Sequence, residues 1–395
     1  MRHLVASLLL VVTAVHSISA ADPPSPDDVR AAVARSLPFL EREGLAWMRE
    51  NACMTCHQIP MMAWSANTAR RHDLPIDDAK VDRWNEWAVN NALKRAVYYN
   101  LATEALEALA ADGWSDEELK VLEPLKDRRF VFEQDFRDAL ADKLPAEFVA
   151  AHGEALLKCA AKPKQGGAGG GENNQYTALL LCGALGMSDA AAPTRSMVVE
   201  ALVKRQNQDG SWPIASQFAA QRRPKDESIE VATRWALVAL TDLPEGPASA
   251  EPAMSKARDW LAKPSPASTT ETVMLRAMVA ERRGEKQVSA SLADELLALQ
   301  HADGGWSWLK DGATSDPLTT GQVLYGLAYL GRDGSDPAIR RAWRYLVNTQ
   351  AADGRWPQTR DVISTAKKKD SKPGDAVYTY WATGWAAVGL LETLP

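Results

Sequence analysis

A seven-residue motif recurs three times in the second half of the chain. Gln206–Trp212, Gln300–Trp306 and Gln350–Trp356 all have the form Gln-x-x-Asp-Gly-x-Trp. The last two copies are roughly 50 residues apart, and the first two are about twice as far apart. This leaves room between the first two copies for one unit without the motif. A repeat of this period indicates stacked supersecondary units, because one unit alone cannot bury its apolar face.

Each unit is predicted to contain two helices. Ile339, Trp343 and Leu346 precede a motif at i, i+4 and i+7, which is the spacing of an amphipathic helix. Residues 321–330 and 378–391 follow motifs and are apolar nearly all round, so these helices must be buried. Outer amphipathic helices that alternate with inner buried ones are typical of an α/α ring.

The number of such helix pairs is about six, which is enough to close a ring without an exposed end. The predicted units are Asp27–Leu74, Asp78–Met187, Pro193–Leu243, Glu251–Arg283, Val288–Leu330 and Asp336–Leu394. We therefore expect an all-α fold with a single α/α toroid over residues 21–395. Extra helical material is expected in the second unit, around residues 116–150.

The Gln-x-x-x-Gly-x-Trp element resembles the QW repeat of squalene-hopene and oxidosqualene cyclases, over roughly residues 190–395. The resemblance implies their toroid fold, in which the Gln and Trp tie the end of an outer helix to its neighbour. It does not imply their activity, because a shared fold does not carry function. Class II cyclases protonate substrate with Asp-x-Asp-Asp, which is absent here, so cyclase activity is not expected. The zinc ligands of the related protein prenyltransferases also find no convincing match.

Cys53-Met54-Thr55-Cys56-His57 has the form of a c-type haem attachment site. In such sites two thiols bind the haem vinyl groups and the adjacent imidazole binds the iron. We expect one covalent haem c, held by Cys53 and Cys56 with His57 as axial ligand. Zinc, a thioredoxin-like redox pair and a disulfide or inert thiols are the alternatives.

The motif falls between the two helices of the first unit, so haem attachment is expected within the first hairpin. The combination resembles haem c-containing bacterial proteins with squalene-hopene cyclase or prenyltransferase-like repeats. Met61 and Met62 follow the motif too closely to reach the far face of the haem. The candidate sixth ligands are His72, His152, Met187 and His301.

The N-terminus predicts export. Arg2 and His3 precede an apolar run over residues 4–15 and then small residues up to Ala21, as in a secretory signal peptide covering residues 1–20. We expect a periplasmic or otherwise exported protein with no transmembrane segment after cleavage. The net charge of −6 gives no indication of nucleic-acid binding, and residues 367–369 are expected to form a solvated basic loop. Cys159 and Cys182 form either a bridge or two buried thiols.

Electron transfer with a periplasmic redox partner is the function that the haem motif favours. The alternatives are a haem-dependent or cavity-based enzyme, peroxidase-like or acting on an isoprenoid or other extended substrate, and a binding or scaffold protein with structural haem. A ring cavity could take a small molecule. Polar residues near the inner-helix starts are either helix caps or pocket residues: Glu172, Tyr176, Glu227, Glu230, Glu271, Asp316, Asp375, Tyr378 and Tyr380.

Overall fold

A computed structural model describes residues 23–51, 53–54, 58–163, 172–186, 191–214, 221–243, 249–365 and 374–395. The expected signal peptide over residues 1–20, Met187 and the basic run 367–369 lie outside these residues, so export stays a prediction. Among the described helices, none combines the length and the apolar character that crossing a bilayer requires.

The described chain is mostly helical, and its helices form an outer and an inner layer. The outer helices are α1 (Pro26–Asn51), α3 (Asp78–Ala92), α9 (Ala192–Val203), α11 (Glu251–Leu261), α13 (Lys286–Ala298) and α15 (Pro337–Thr349). The inner helices are α2 (Ile59–Arg71), α8 (Glu172–Leu181), α10 (Lys225–Thr241), α12 (Thr270–Arg282), α14 (Pro317–Tyr329) and α17 (Gly374–Glu392). The pairing of outer and inner helices confirms the helical units that the repeat predicts.

The inner helices close a ring. Each contacts the next in chain order, and α17 returns to pack against α2 and α1. The inner helices are buried along most of their length: α14 is buried from Pro317 to Leu327, and α17 from Tyr378 to Leu391. These two helices touch backbone to backbone, because a Cβ on Gly321 would strike the α17 backbone and one on Gly389 would strike Gly321. Their glycines permit this close approach.

The QW motifs are the clamps of this ring, as the copy at residues 300–306 shows. The Gln300 amide nitrogen donates to the Ala338 carbonyl of the next outer helix at 2.8 Å. The Trp306 indole donates to Leu296 of the preceding outer helix at 2.7 Å, and its backbone N–H donates to Thr320 of the inner helix at 3.0 Å. Each motif therefore fastens three helices together.

The last motif makes the closing contact of the ring. The Gln350 amide donates to Ala32 of α1 at 2.7 Å, so the sixth unit is clamped to the first. Gly354 has a φ of +84° and lies against the Arg35 backbone, where a Cβ would collide with the carbonyl oxygen. Glycine is required here for both conformation and space.

The second unit carries an insertion with its own small core. It contains α4 (Thr103–Ala111), α5 (Asp116–Val121), α6 (Glu133–Lys143) and α7 (Ala146–Ala160). A three-stranded antiparallel sheet joins them, with β1 (Val97–Asn100) between β2 (Arg129–Phe130) and β3 (Ala161–Pro163). The all-α prediction missed this sheet, because its strands are too short to show alternation over several residues.

The fourth unit lacks the motif and holds its loop with two carboxylates from α10. Glu227 accepts hydrogen bonds from the backbone N–H groups of Ser268 and Thr269, both at 3.0 Å. Glu230 accepts from the Ser265 N–H at 2.8 Å. These contacts fix the loop between α11 and α12 where other units use Gln and Trp.

Candidate functional site

The inner helices surround a central cavity of about 60 Å³. Every inner helix contributes to its lining, so the cavity is a property of the closed ring rather than of one unit. The lining residues are Pro60, Met61, Trp64, Asn174, Thr177, Ala178, Leu181, Trp235, Glu271, Gln322, Trp381 and Trp385. A mainly apolar and aromatic concave site with a few polar groups is the usual form of a small-molecule site.

Aromatic side chains form the floor of the cavity. The rings of Trp64 and Trp385 lie 5.1 Å apart, and those of Trp235 and Trp385 lie 5.7 Å apart. Tyr325 completes this aromatic floor, edge-on to Trp64 at 5.3 Å. Trp64, Trp235, Tyr325 and Trp385 come from four inner helices, which explains why their separate sequence positions do not predict the cluster.

Glu271 is the acidic side chain that lines this cavity within the described part of the chain. It is 1% exposed and accepts hydrogen bonds from the Trp235 indole at 2.9 Å and the Gln322 amide at 3.2 Å. Its other oxygen pairs with the Arg223 guanidinium at 2.7 Å, and Arg223 lies over the Trp308 ring. The ion pair and two neutral donors hold the carboxylate in one orientation.

Two buried polar atoms of the cavity wall have no protein partner within the described residues. These are the Gln322 Oε1 acceptor and the Trp385 Nε1 donor. Gln322 is fully buried and Trp385 is 4% exposed. Buried polar groups are nearly always hydrogen-bonded, so an unpaired acceptor and an unpaired donor lining one cavity point to a ligand that supplies both.

Most of the other polar residues predicted near the inner-helix starts hold the backbone. Asp316 caps α14, accepting from the Thr319 N–H at 2.8 Å, and burial raises the pKa of Asp316 to about 6. Asp375 accepts from the Arg360 N–H, and the Tyr380 hydroxyl donates to Leu40 at 3.0 Å.

Five further members of that set remain, and four of them have a described environment. The Tyr176 hydroxyl lies 3.5 Å from the Ala92 carbonyl, at the limit of a hydrogen bond. Tyr378 packs against Trp381, and the side chain of Glu172 is outside the described residues. Glu227 and Glu230 hold the fourth loop. The helix-cap interpretation therefore applies to Asp316, and Glu271 is the member that faces the cavity.

The haem motif lies between α1 and α2, directly before the residues that begin the cavity wall. Cys53 is partly buried, and its carbonyl accepts from the Trp47 indole at 2.9 Å. The Met54 N–H donates to the Asn91 side chain at 3.0 Å, which fastens the segment to α3. Cys56 and His57 lie outside the described residues. Haem attachment through Cys53 and Cys56 thus stays a prediction, which haem staining of a denaturing gel of wild type and Cys53→Ala would test.

The proposed sixth ligands are dispersed over the molecule. His72 caps the far end of the 13-residue helix α2, about 20 Å along the axis from its start. His152 packs between Trp114 and Phe148 in the insertion, and His301 lies 3.2 Å from the Ser315 hydroxyl. Met187 lies outside the described residues.

The two methionines that follow the haem motif and the two cysteines outside it serve packing. Met61 lines the central cavity, and Met62 packs against Gly44 of α1. Cys159 and Cys182 are free thiols, one in the insertion and one in the main core, so they do not form a disulfide with each other. Burial raises the pKa of both thiols, that of Cys182 to about 12, so both are poor nucleophiles.

Comparison with known proteins relates the sequence to cyclases and the fold to glycosidases. No protein-family model matches the chain. A protein of Sinorhizobium fredii described as "Probable squalene--hopene cyclase" is 33% identical over 123 residues, which is 31% of this chain and 18% of that protein. The chain thus matches less than a fifth of that relative's length, and the match supports a cyclase-like relation without placing the chain in the family.

Solved structures of glycosidases resemble the chain over nearly its whole length. A wild-type glycosidase has a TM-score of 0.53 at 13% identity, covering 94% of this chain and 98% of its own. A glycosidase variant in complex with glucose has a TM-score of 0.52 at 14% identity, with the same coverage. At this identity the likeness shows the fold alone.

These findings correct the interpretation of the chain as a cytochrome c-like electron-transfer protein. The described chain has the fold of glycosidase structures from end to end, and none of its described His, Cys, Asp and Glu residues form a group of three or more that could hold a metal ion. The electron-transfer interpretation rested on the five-residue haem motif, because the predicted ring by itself was not expected to indicate an activity. The redox partner was inferred from that function alone.

Proposed function

We propose that the chain is a carbohydrate-processing protein that binds a sugar unit in its central cavity. The observation that carries the proposal is the combination of an aromatic floor with an unpaired acceptor on Gln322 and an unpaired donor on Trp385. The glycosidases of similar fold, one of them holding glucose, support the same class of ligand.

A sugar ring matches this cavity on two counts. Its C–H face is apolar and can lie against the faces of Trp235 or Trp385, where weak C–H contacts and dispersion stabilise it. Its hydroxyl groups both donate and accept hydrogen bonds, so one hydroxyl can donate to Gln322 Oε1 while another accepts from Trp385 Nε1. A purely apolar ligand would leave both atoms unpaired, at a cost of about 1–3 kcal/mol each.

Glu271 is the residue to which we assign proton transfer. It lines the cavity beside Gln322 and is paired with Arg223. Its carboxylate can accept the proton of a sugar hydroxyl or of a water molecule. Arg223, the Trp235 indole and the Gln322 amide fix its position, so little reorganisation is needed at the moment of reaction.

Binding can be measured by the change in tryptophan fluorescence on titration with glucose, galactose, mannose and xylose and with their disaccharides. At least one sugar is expected to quench or shift the emission saturably. Gln322→Leu removes the Oε1 acceptor together with the Nε2 donor to Glu271, and Trp385→Phe removes the Nε1 donor together with part of the indole ring system. Each variant is expected to weaken binding by about tenfold. The same change at a glutamine outside the cavity, Gln300→Leu, serves as the matched control and is expected to leave binding unaltered.

The proposal fails if no sugar in the panel binds, or if Gln322→Leu and Trp385→Phe bind as tightly as the wild type. Saturable binding of an isoprenoid alcohol in place of any sugar would also overturn it. The fold of each variant is checked by circular dichroism, so that a loss of binding is read only from folded protein.

A further inference from the structure

A wide cleft lies at the seam of the ring, where the sixth unit meets the first. Its walls come from residues 39–50 of α1, Gln58 directly before α2, residues 355–359 and the first turns of α17. Residues 355–359 end the last QW loop and lead into the short helix α16 (Arg360–Ile363). We call this space the seam cleft. Its volume is about 620 Å³, against about 60 Å³ for the central cavity, and the two linings share no residue, so it is a separate and larger space.

Aromatic side chains from both units line the seam cleft. Phe39 of α1 and Tyr380 of α17 are buried, with ring centroids 6.1 Å apart, and Trp47 of α1 is half-buried. Pro357 and Val377 add aliphatic surface. The C–H face of a sugar ring packs against aromatic faces of this kind through dispersion. The seam cleft therefore offers the apolar surface that a sugar site needs.

Charged side chains of both signs lie beside this apolar surface. They are Arg42, Glu43 and Glu50 on α1 and, on the side of the sixth unit, Arg355 and Asp375. Arg42 lies over the Phe39 ring at 5.3 Å and pairs with Glu43 at 2.9 Å. Guanidinium groups donate and carboxylates accept, so the cleft can bind the hydroxyl groups of a sugar in both roles. The carboxylates repel a phosphate or another anion, and covering these charges with a lipid chain would cost their hydration.

Hydrogen bonds hold the walls of the seam cleft in place. The Gln358 N–H donates to the Thr379 hydroxyl at 3.0 Å, which fastens the loop to α17. The Tyr380 hydroxyl donates to the Leu40 carbonyl at 3.0 Å, which fastens α17 to α1. Gln358 is 4% exposed, and its Oε1 acceptor has no protein partner within the described part of the chain. A preformed cleft with a buried acceptor that lacks a donor favours a ligand rich in hydroxyl groups.

We infer that the seam cleft is a second carbohydrate site, which binds a segment of an oligosaccharide outside the central cavity. The inference rests on the proposed function for the class of ligand, and its volume lies in the range of small-molecule sites. Gln58 of the seam cleft and Pro60 of the central cavity are two residues apart, so their Cα atoms lie within about 7 Å of each other. An oligosaccharide held in the seam cleft is therefore kept near the central cavity.

The test compares trisaccharides with monosaccharides by titration calorimetry. The probes are maltotriose, cellotriose and xylotriose, with glucose and xylose. Arg42→Ala together with Arg355→Ala removes two guanidinium groups from the seam cleft, both on exposed side chains. This double variant is expected to bind at least one trisaccharide about tenfold more weakly than the wild type, and to keep its monosaccharide affinity within about twofold. Gln322→Leu, in the central cavity, is expected to show the reverse pattern.

Arg128→Ala together with Arg283→Ala is the matched control. Arg128 lies over the Phe130 ring as Arg42 lies over Phe39, and Arg283 pairs with an acid two residues away as Arg355 does. Both control arginines are exposed and line neither site, so this variant is expected to bind every probe as the wild type does. Circular dichroism checks the fold of each variant.

The inference is overturned if no trisaccharide binds the wild type, if trisaccharide binding is unchanged in the seam double variant, or if the control weakens it equally. In each case monosaccharide binding that depends on Gln322 leaves the proposed function standing. Loss of trisaccharide binding in the seam variant alone, with no monosaccharide bound by the wild type, upholds the seam cleft and contradicts the proposed central site. Because the Trp47 indole contacts Cys53, the absorption of any covalent haem is recorded as well. A spectral change in the seam double variant with unaltered trisaccharide binding would also overturn the inference.

Discussion

The three QW loops and the loop of the fourth unit do the same structural work with different chemistry. In the QW loops an uncharged amide and an indole donate to helix carbonyls, as Gln300 does to Ala338. In the fourth unit the carboxylates Glu227 and Glu230 accept from the N–H groups of the loop. The ring therefore contains buried acidic residues with a structural role. An acidic side chain near the start of an inner helix is not by that position alone a functional residue.

The comparison sets Glu271 apart from its neighbours. The carboxylate oxygens of Glu227 accept hydrogen bonds from Ser268, Thr269 and Thr272, which all lie outside the cavity. Glu271 faces the cavity, and its partners are Arg223 and the cavity residues Trp235 and Gln322. Two acids on adjacent inner helices thus have opposite roles, and each of the following changes tests one side of that contrast.

Trp306→Ala is expected to have the largest effect on stability. The fully buried indole fills the space between three helices and donates to Leu296, so its removal should lower the free energy of unfolding by about 3–5 kcal/mol. Urea unfolding followed by circular dichroism measures the change. An unchanged midpoint would show that the QW clamp is dispensable, and the sugar affinity of the remaining folded protein should equal that of the wild type.

Glu227→Gln is expected to have the next largest effect and to lower the free energy of unfolding by about 2–3 kcal/mol. The hydrogen bonds to a charged carboxylate become bonds to a neutral amide, and one acceptor atom becomes a donor. Burial raises the pKa of Glu227, but hydrogen bonds from Ser268, Thr272 and Thr269 outweigh it, and the pKa is lowered overall. The same balance, with Arg276 and Arg234 as donors, lowers the pKa of Glu230.

This direction of shift makes the contribution of the Glu227 charge to stability depend on pH. A depressed pKa contributes stability that is fully present above the ordinary value of 4.5 and is lost as the pH falls below it. Unfolding midpoints of wild type and Glu227→Gln should therefore converge as the pH is lowered from 6 towards 3. Parallel curves over this range would contradict a structural role for the Glu227 charge.

Gly304→Ala is expected to cost about 2–3 kcal/mol, through the strain of a φ of +96° and the collision of the new Cβ with the Arg341 carbonyl. Gly331→Ala is the matched control. It has a φ of +80° but open space around it, so only the conformational strain of about 1–2 kcal/mol remains. Equal losses in the two variants would mean that the contact between loop and neighbouring helix contributes nothing.

Gln300→Ala is expected to have the smallest effect, about 1 kcal/mol, because the amide is partly buried and water can replace its bonds. Gln350→Ala removes the equivalent bond at the ring closure, to Ala32. Comparable losses would show that all QW clamps are equivalent. A much larger loss for Gln350→Ala would single out closure as the step on which the fold depends.

The sequence predicted the repeat and the helix pairs, because both appear at fixed spacing, and the resemblance to the cyclases implied the clamping role of Gln and Trp. It did not predict the aromatic floor, since Trp64, Trp235 and Trp385 meet only when the ring closes. Spacing also could not show which acidic residues near the inner-helix starts cap a helix and which line the cavity. Glu227 and Glu271 look alike in the sequence and differ only in what surrounds them in the fold. The electron-transfer prediction was wrong because it took the function from the haem motif, while the predicted ring was not expected to indicate an activity.

The most direct test of the account compares Glu271→Gln with Glu227→Gln in one assay. Hydrolysis of aryl glycosides of the sugar that binds is measured per folded molecule, with unfolding midpoints recorded alongside. Glu271→Gln is expected to lose about 100-fold or more in turnover, whereas Glu227→Gln loses stability and keeps its turnover. Wild-type turnover in Glu271→Gln, or an equal loss in both variants, would contradict the assignment of Glu271 as the proton-transferring residue of a carbohydrate site.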